Sequence, residues 1–298
     1  FETKSFKPAY VKDKRQFNPD APLKRSIGER IGGSMSAAER REAAINRALN
    51  NQLENLTRRE EVMAAEALCH GQVTVTGDNY PTVVVNFQRD PELKITLGGN
   101  NRWGQAGAKM LDDIEDWALL VQNKSGAAAR TIVMDPHAWR LFKADNDVNK
   151  LLTVIRGTQN TISIDAMNRG QGSEKARYMG TIGDFDFFVY QDNYVDDDGN
   201  LKQMLPNYSV IVASKEQIEG TRCYGIIQDE KAGYRAQRYF TKSWIEEDPA
   251  VRWLLMQSAP LIVPYRPNAS LCAIVNDNTN KVININNNNK NEVINKDK

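Results

Sequence analysis

SAAERREAAINRALNNQLENLTRREEVMAAEALC, Ser36 to Cys69, is the stretch that decides the fold. No glycine or proline interrupts it before Gly71, and the good helix formers alanine and leucine recur along it. It predicts one helix. At about 1.5 Å per residue such a helix spans about 50 Å, whereas globular helices average roughly 11–12 residues. A rod of that length in one moderate chain points to scaffolding or assembly before it points to chemistry. Ser36 is a natural N-cap, and Glu39 three residues on completes a capping box.

At about 100° per residue, Ala38, Ile45, Leu49, Leu53, Leu56, Met63 and Ala67 fall within one narrow arc. Ile45, Leu49, Leu53, Leu56 and Met63 are the expected packing stripe. Gln52, Arg59 and Glu60 border it, so burial is expected to be incomplete. The opposite side carries Arg40, Arg47 and Arg58, with Glu54 and Glu61 beside them. The plainer account is a solvated face of mixed-sign pairs, each worth about 0.2–0.5 kcal/mol. The sharper one is an arginine row against a polyanion or a partner subunit, although the neighbouring acids weaken any pull on nucleic acid. The stripe holds too few clean heptads for a coiled coil.

The chain has 298 residues, 41% hydrophobic and 26% charged, enough for a sizeable core in one or two domains. A formal net charge of +1 announces neither a nucleic-acid binder nor a partner for basic proteins. Cys69, Cys223 and Cys272 are scattered and odd in number, which argues against a disulfide framework and suits a reducing compartment. No apolar run approaches the length of about 18 residues that a membrane helix needs, so no membrane partner is expected. No signal peptide is read at the start.

Residues 1–35 carry four more positive than negative charges and several Pro and Gly residues, the pattern of an extended arm. After the long helix come two β-branched runs, Val73–Thr76 and Thr82–Phe87, around a Gly77-Asp78-Asn79 turn. A strand at Leu93–Leu97, a helix from about Ala108 to Gln122, a strand at Ala129–Met134 and a helix opened by Asp135-Pro136 follow. Leu151–Ile155 is apolar and fits helix or strand. A second hairpin spans Tyr178–Tyr190, Asp196–Asn200 reads as a turn, and Ser209–Ala213 as a strand. Gly225–Gln228 and Arg235–Tyr239 read as strands, and Val251–Gln257 and Leu261–Val263 close the ordered part. The mixture is α+β. In residues 276–298, ten positions are asparagine, which marks a low-complexity, disordered tail.

Candidate chemistry is sparse. His70 and His137 have no second His or Cys at metal spacing, so neither metal nor cofactor is expected. The pairs Gly104/Gly107 and Gly170/Gly172 lack the GxGxxG context and read as loops. The acidic turn at Asp196–Asn200 lacks the carboxylates an EF-hand needs at its first and last positions. Asp112, Asp113, Glu115 and Asp116 sit in the first turns of a helix, where negative charge is favoured anyway.

Three blocks carry a resemblance: Ser34-Met-Ser-Ala-Ala-Glu-Arg-Arg-Glu42 with Thr57-Arg-Arg-Glu-Glu61, Val73–Gly77 with Tyr80–Phe87, and Asp248–Arg252 with Gln257-Ser-Ala-Pro-Leu-Ile-Val-Pro-Tyr-Arg-Pro-Asn268. Together with Ile132-Val-Met-Asp-Pro136 and Trp139, they resemble the major capsid protein E family of lambda-like tailed phages, over about residues 1–275. The resemblance implies an α+β, HK97-type phage capsid fold and no enzyme activity. It implies a remnant of an extended arm and loop at 1–35. A peripheral domain would comprise 36–97 and 235–275, with Ser36–Cys69 as its spine helix, and an axial domain 105–230. The Asn-rich tail at 276–298 lies outside the pattern. The implied function is a major head protein that self-assembles into hexamers and pentamers of an icosahedral shell enclosing DNA. Implied partners are further copies of the chain, scaffold, portal and decoration proteins, and packaged DNA held non-specifically. The implied location is the virion capsid, assembled in the host bacterial cytoplasm. On this mapping Arg40, Arg47 and Arg58 become subunit or lumen contacts. The alternatives are a DNA-binding protein using the basic arm and those arginines, or an enzyme using Asp135 or His137.

Ile45→Asp or Leu53→Asp places a charge in the stripe and is expected to abolish assembly; normal particles from the purified variant in electron micrographs would contradict that role.

Overall fold

The computed structural model describes residues 8, 10–17, 35–77, 80–149, 175–196, 199–248 and 251–276. The predicted Leu151–Ile155 element, the Gly170/Gly172 pair, the turn residues 78–79 and the tail beyond Asn276 lie outside them.

Helix α1 runs from Ala37 to His70, 34 residues. Its capping box is in place: the Glu39 amide donates to Ser36 Oγ at 3.2 Å, and the Ser36 amide to Glu39 Oε2 at 2.6 Å. The helix ends at Gly71, whose left-handed φ of 67° lets its N–H reach the Ala67 carbonyl at 3.0 Å. A Cβ added there would lie 2.7 Å from Arg89 Cβ, so only glycine fits. Arg89 itself is buried and donates to the Leu68 and Cys69 carbonyls, placing a cation on the negative end of the helix. Strands β2 (Gln72–Gly77) and β3 (Tyr80–Asn86) form the predicted hairpin. Val73 and Val75 turn inward onto Met63, Ala67 and Leu261.

The centre of the molecule is a six-stranded sheet ordered β4-β15-β10-β5-β7-β6. Its members are β4 (Lys94–Thr96), β5 (Thr131–Met134), β6 (Ala176–Ile182), β7 (Phe185–Tyr190), β10 (Ser209–Ala213) and β15 (Ser270–Ile274). β15–β4 and β5–β7 are parallel, and the other pairings are antiparallel. Side chains alternate across the sheet. Ile132, Met134, Val210, Val212, Leu271 and Ala273 enter the main core. Helix α2 (Met110–Ser125) covers that face with Ile114, Trp117 and Val121, and α3 (Pro136–Phe142) adds Phe142. Trp103 stacks on Trp117 with centroids 5.9 Å apart and on Phe142 at 5.7 Å. Val133, Ile211, Ala213 and Cys272 face the other way, onto Leu68 and Cys69 at the end of α1. Central strands buried on both faces read as unbroken apolar runs.

A three-stranded antiparallel sheet, β1-β13-β12, lies along α1. It joins β1 (Val11–Phe17), β12 (Phe240–Glu246) and β13 (Val251–Ser258). Two short pairs complete the fold: β8 (Asn193–Val195) with β9 (Leu201–Gln203), and β11 (Gly220–Tyr224) with β14 (Pro260–Pro264). The acidic turn links β8 to β9, with the Asn200 amide donating to Asp196 Oδ1 at 2.7 Å.

Four expectations need correction. Gly225–Gln228 and Arg235–Tyr239 are not strands; only the Ile226–Ala236 bridge joins them, and the strands flank them as β11 and β12. The expected irregular arm contains a strand, β1, held along all seven residues by β13. Lys14 Nζ adds a contact 3.9 Å from the Trp253 ring centre. The ordered part does not close at Val263: β15 follows it into the main sheet, between β4 and β10. Fourth, Gln52 and Glu60, expected to interrupt burial, are themselves buried; Arg59 is half-buried, and burial along the stripe is incomplete at Ile45, Leu49 and Leu53 instead. The hydrogen bonds of β4 and β15 also tie residues 94–96 and 270–274 to strands of the 105–230 region.

Gly71→Ala combines a strained φ with a clash against Arg89 and is expected to lower stability by about 1–3 kcal/mol, read from denaturant unfolding.

Candidate functional site: the docked face of the long helix

The buried polar residues of α1 mark where the helix meets the rest of the chain. Glu60 is 3% exposed. Its Oε1 accepts from the Tyr224 hydroxyl at 3.0 Å. Its Oε2 lies 3.4 Å from Arg238 Nη2 and 3.5 Å from Arg222 Nη1. A buried carboxylate is tolerated only with such partners. The two arginine side chains keep 39% and 62% of their exposure, so each can turn to water. Burial, and then Glu60 beside it, push the Tyr224 hydroxyl above its ordinary value. Eight residues earlier, Gln52 Nε2 donates to the Asp13 carbonyl at 2.8 Å and ties β1 to the helix. Burial works against the Asp13 charge, but hydrogen bonds from Arg15, Gln52 and Asn55 hold its carboxyl below the usual range.

The opposite flank meets the β7–β9 region. Lys175 Nζ sits 2.7 Å from Glu61 Oε2 and 2.8 Å from Asp192 Oδ2. Hydrogen bonds to those two carboxylates raise the Lys175 ammonium above its ordinary value. Arg58 Nη1 donates to the Asn193 carbonyl at 3.0 Å, so this member of the arginine row serves an intrachain contact. Arg47 is exposed and Arg40 half-buried. In the proposed stripe, Leu56 and Met63 are buried, while Ile45, Leu49 and Leu53 are half-buried. No residue of α1 before Gln52 is buried.

A third cluster was not visible in the sequence. Asp229 accepts from Lys242 Nζ, from Gln257 Nε2 at 2.7 Å and from the Lys231 amide at 3.0 Å. The Gln228 amide next to it donates to the Tyr10 hydroxyl. These bonds clamp the 225–239 segment onto β12 and β13. The segment and its surroundings expose Ile226, Tyr234, Tyr239 and Ile245. Tyr234 holds a left-handed φ of 52°, unfavourable for a bulky side chain. The signal that could have found Asp229 was weak: Gly233, an αL cap, closes the short turn that Asp229 opens.

The residues weighed for chemistry have structural partners. Asp135 Oδ1 accepts from the Ala138 amide at 2.7 Å, and Oδ2 from the His137 amide at 3.0 Å with His137 Nδ1 at 2.9 Å. That is an N-cap. Asp113 Oδ2 accepts from Trp103 Nε1 at 2.8 Å. Among the described residues, no group of three or more His, Cys, Asp or Glu could hold a metal ion, and no helix is long and apolar enough to cross a membrane.

The family model described as phage major capsid protein E matches residues 1–275. The chain is 30% identical to the major capsid protein of Escherichia phage lambda over 270 residues, 89% of this chain and 77% of that protein. It is 30% identical to the major capsid protein of Enterobacteria phage P21 over 266 residues, 88% of this chain and 76% of that one. A crystal structure described as a capsid protein of an E. coli CFT073 prophage superposes with a TM-score of 0.76 at 23% identity, covering 93% of this chain and 79% of that one. The fold is therefore the α+β phage capsid fold.

Two outcomes follow from the clusters. Arg222→Ala with Arg238→Ala leaves the Glu60 carboxylate buried without a cation and is expected to cost about 3 kcal/mol; adding Glu60→Gln recovers most of it in a double-mutant cycle. Hydrogen bonds from Lys242 and Gln257 lower the Asp229 carboxyl from 3.8 to about 2. A lowered acid stabilises fully above its unfolded value, and that share is lost as pH falls through the folded one. Stability is expected to drop between about pH 4 and about pH 2 on this account, and Asp229→Asn should flatten that part of the acid-unfolding curve.

Proposed function

The chain belongs to the phage major capsid protein E family, and from that premise we propose that its copies associate as hexamers and pentamers tiling an icosahedral shell around phage DNA. The protein is structural and not an enzyme, and it is a capsid protein of the virion. The observation that carries the proposal is the extent of the family match, residues 1–275, which takes in every element of the fold. Shell building needs no reaction. Interfaces burying about 1,000 Å² or more, repeated around each capsomer, accumulate by multivalency.

The proposed division of labour follows the polar contacts. Residues 36–97 and 235–275 act as the peripheral unit and 105–230 as the axial unit, with 1–35 as the arm. The main sheet welds the two units through β4 and β15. Ile45, Leu49 and Leu53, half-buried in the single chain, and the surface residues Arg40 and Arg47 are the part of α1 offered to a neighbouring subunit or to the lumen. Leu56 and Met63 anchor the same helix to its own core. Expansion of the shell would proceed by rigid-body rotation with hinging at the arm and at the free end of α1. Scaffold, portal and decoration proteins are the proposed partners, packaged DNA is held without sequence preference, and assembly takes place in the host bacterial cytoplasm. The DNA-binding alternative has no observation of its own, since Arg58 is engaged by Asn193.

The full chain, purified and run on a sizing column, is expected to elute as capsomers or shells that negative-stain electron microscopy resolves as closed particles. A monomer at every concentration, with steeply salt-dependent DNA affinity, would favour the alternative instead.

A further inference from the structure

Cys69 and Cys272 come from opposite ends of the chain and meet in the core. Cys69 is the penultimate residue of α1, and Cys272 the middle residue of β15. They are 2% and 3% exposed and belong to one buried packing cluster. Leu205, Ile211 and Ala213 pack around them. The pair is not sealed off. Cys69 lines a cavity of about 330 Å³ between the end of α1 and the β8–β9 hairpin, and the exposed residues His70 and Gln203 stand at its wall. That volume admits a molecule the size of hydrogen peroxide with room for water.

We propose that Cys69 and Cys272 are a peroxide-responsive dithiol that closes to an intrachain disulfide, fastening the end of α1 to strand β15 of the main sheet. The chemistry balances with a hydroperoxide as oxidant. One sulfur attacks the peroxide, its O–O bond breaks, and a sulfenic acid and one water (or alcohol) result. The second sulfur then displaces the sulfenic hydroxyl, which leaves as water with the remaining thiol proton. Two thiols are oxidised, one peroxide is reduced, and one S–S bond forms. The local charges suit this. Cys69 beside it, and then Arg89 and Lys94, hold the Cys272 thiol below its ordinary value against burial, while Cys272 and burial push the Cys69 thiol well above its own, so Cys272 is the attacking sulfur and Cys69 the one that closes the bond. The thiolate is the reactive form. Neither cysteine has a role in the contacts argued above for assembly, so the inference stands whatever shell the chain builds.

The test uses the full chain carrying Cys223→Ser, which removes the exposed third thiol. The folded protein is treated with hydrogen peroxide, its remaining thiols are alkylated, and it is digested without reduction. The expected product is a peptide containing Cys69 linked to one containing Cys272, two hydrogens lighter than the sum. The thermal midpoint rises and returns to its starting value with dithiothreitol. Adding Cys69→Ser should abolish the linked peptide and leave Cys272 as a sulfenic or higher acid. Alkylation of both thiols after peroxide would overturn the proposal. So would oxidation of Cys69 alone with Cys272 present, linkage only after unfolding, or a linked protein with a lowered midpoint.

Discussion

Leu271 and Ala273 of β15 point toward α2, while Cys272 between them points toward the end of α1. The same alternation runs through Val210, Ile211 and Val212 of β10. A strand has two faces, and here both must be covered by apolar surface. The cover on one side is a 16-residue helix that fits the sheet. The cover on the other is the last turns of a 34-residue helix, with Leu205 and Ile218 beside them. Most of α1 is therefore left to run beyond the main sheet, and the rest of the fold arranges itself along it. The β2–β3 hairpin, β14 and the β1-β13-β12 sheet all dock on the helix rather than on the central core.

This layout accounts for the polar residues inside the helix interface. Where α1 leaves the main sheet it packs on β13 and β14, and its polar side chains share the interface with their apolar ones. Glu60 and Gln52 make charge-assisted and backbone hydrogen bonds there to β11, Arg238 and β1. Beyond Gln52 toward the N-terminus no buried residue remains. A subunit with one end of its longest element locked and the other half-covered suits a protein whose folding is completed by association. It also explains why the locked end is so heavily specified: Gly71, Arg89 and the Cys69–Cys272 contact all converge there.

Much of this was legible in the sequence where the signal was local. The capping box at Ser36 and Glu39, the Asp135-Pro136 start, the β-branched hairpin after Gly71 and the amphipathic pattern of α2 all depend on neighbours within a few residues. What escaped depended on distant partners. β1, Val-Lys-Asp-Lys-Arg-Gln-Phe, looks like a charged arm because its strand character comes from β13, far along the chain. β15, Ser-Leu-Cys-Ala-Ile, shows no polar–apolar alternation because both of its faces are buried. The Gly225–Tyr239 segment has strand-like composition but is shaped by Asp229 and its two distant partners.

The site divides along the same line. The sequence by itself determined the long helix, its cap and its apolar stripe, because helix propensity and the 3.6-residue period need no tertiary partner. It also determined the family, because the matching blocks run in order along residues 1–275. Only the tertiary structure decided which part of the stripe is buried, that the exposed Arg58 donates to the Asn193 carbonyl, and that Glu60 and Gln52 belong to the interface. The physical reason is that burial and charge pairing are properties of two surfaces. One sequence segment specifies one surface, and the other is supplied by residues far along the chain, as Tyr224 and Arg238 are for Glu60, brought there by the sheet.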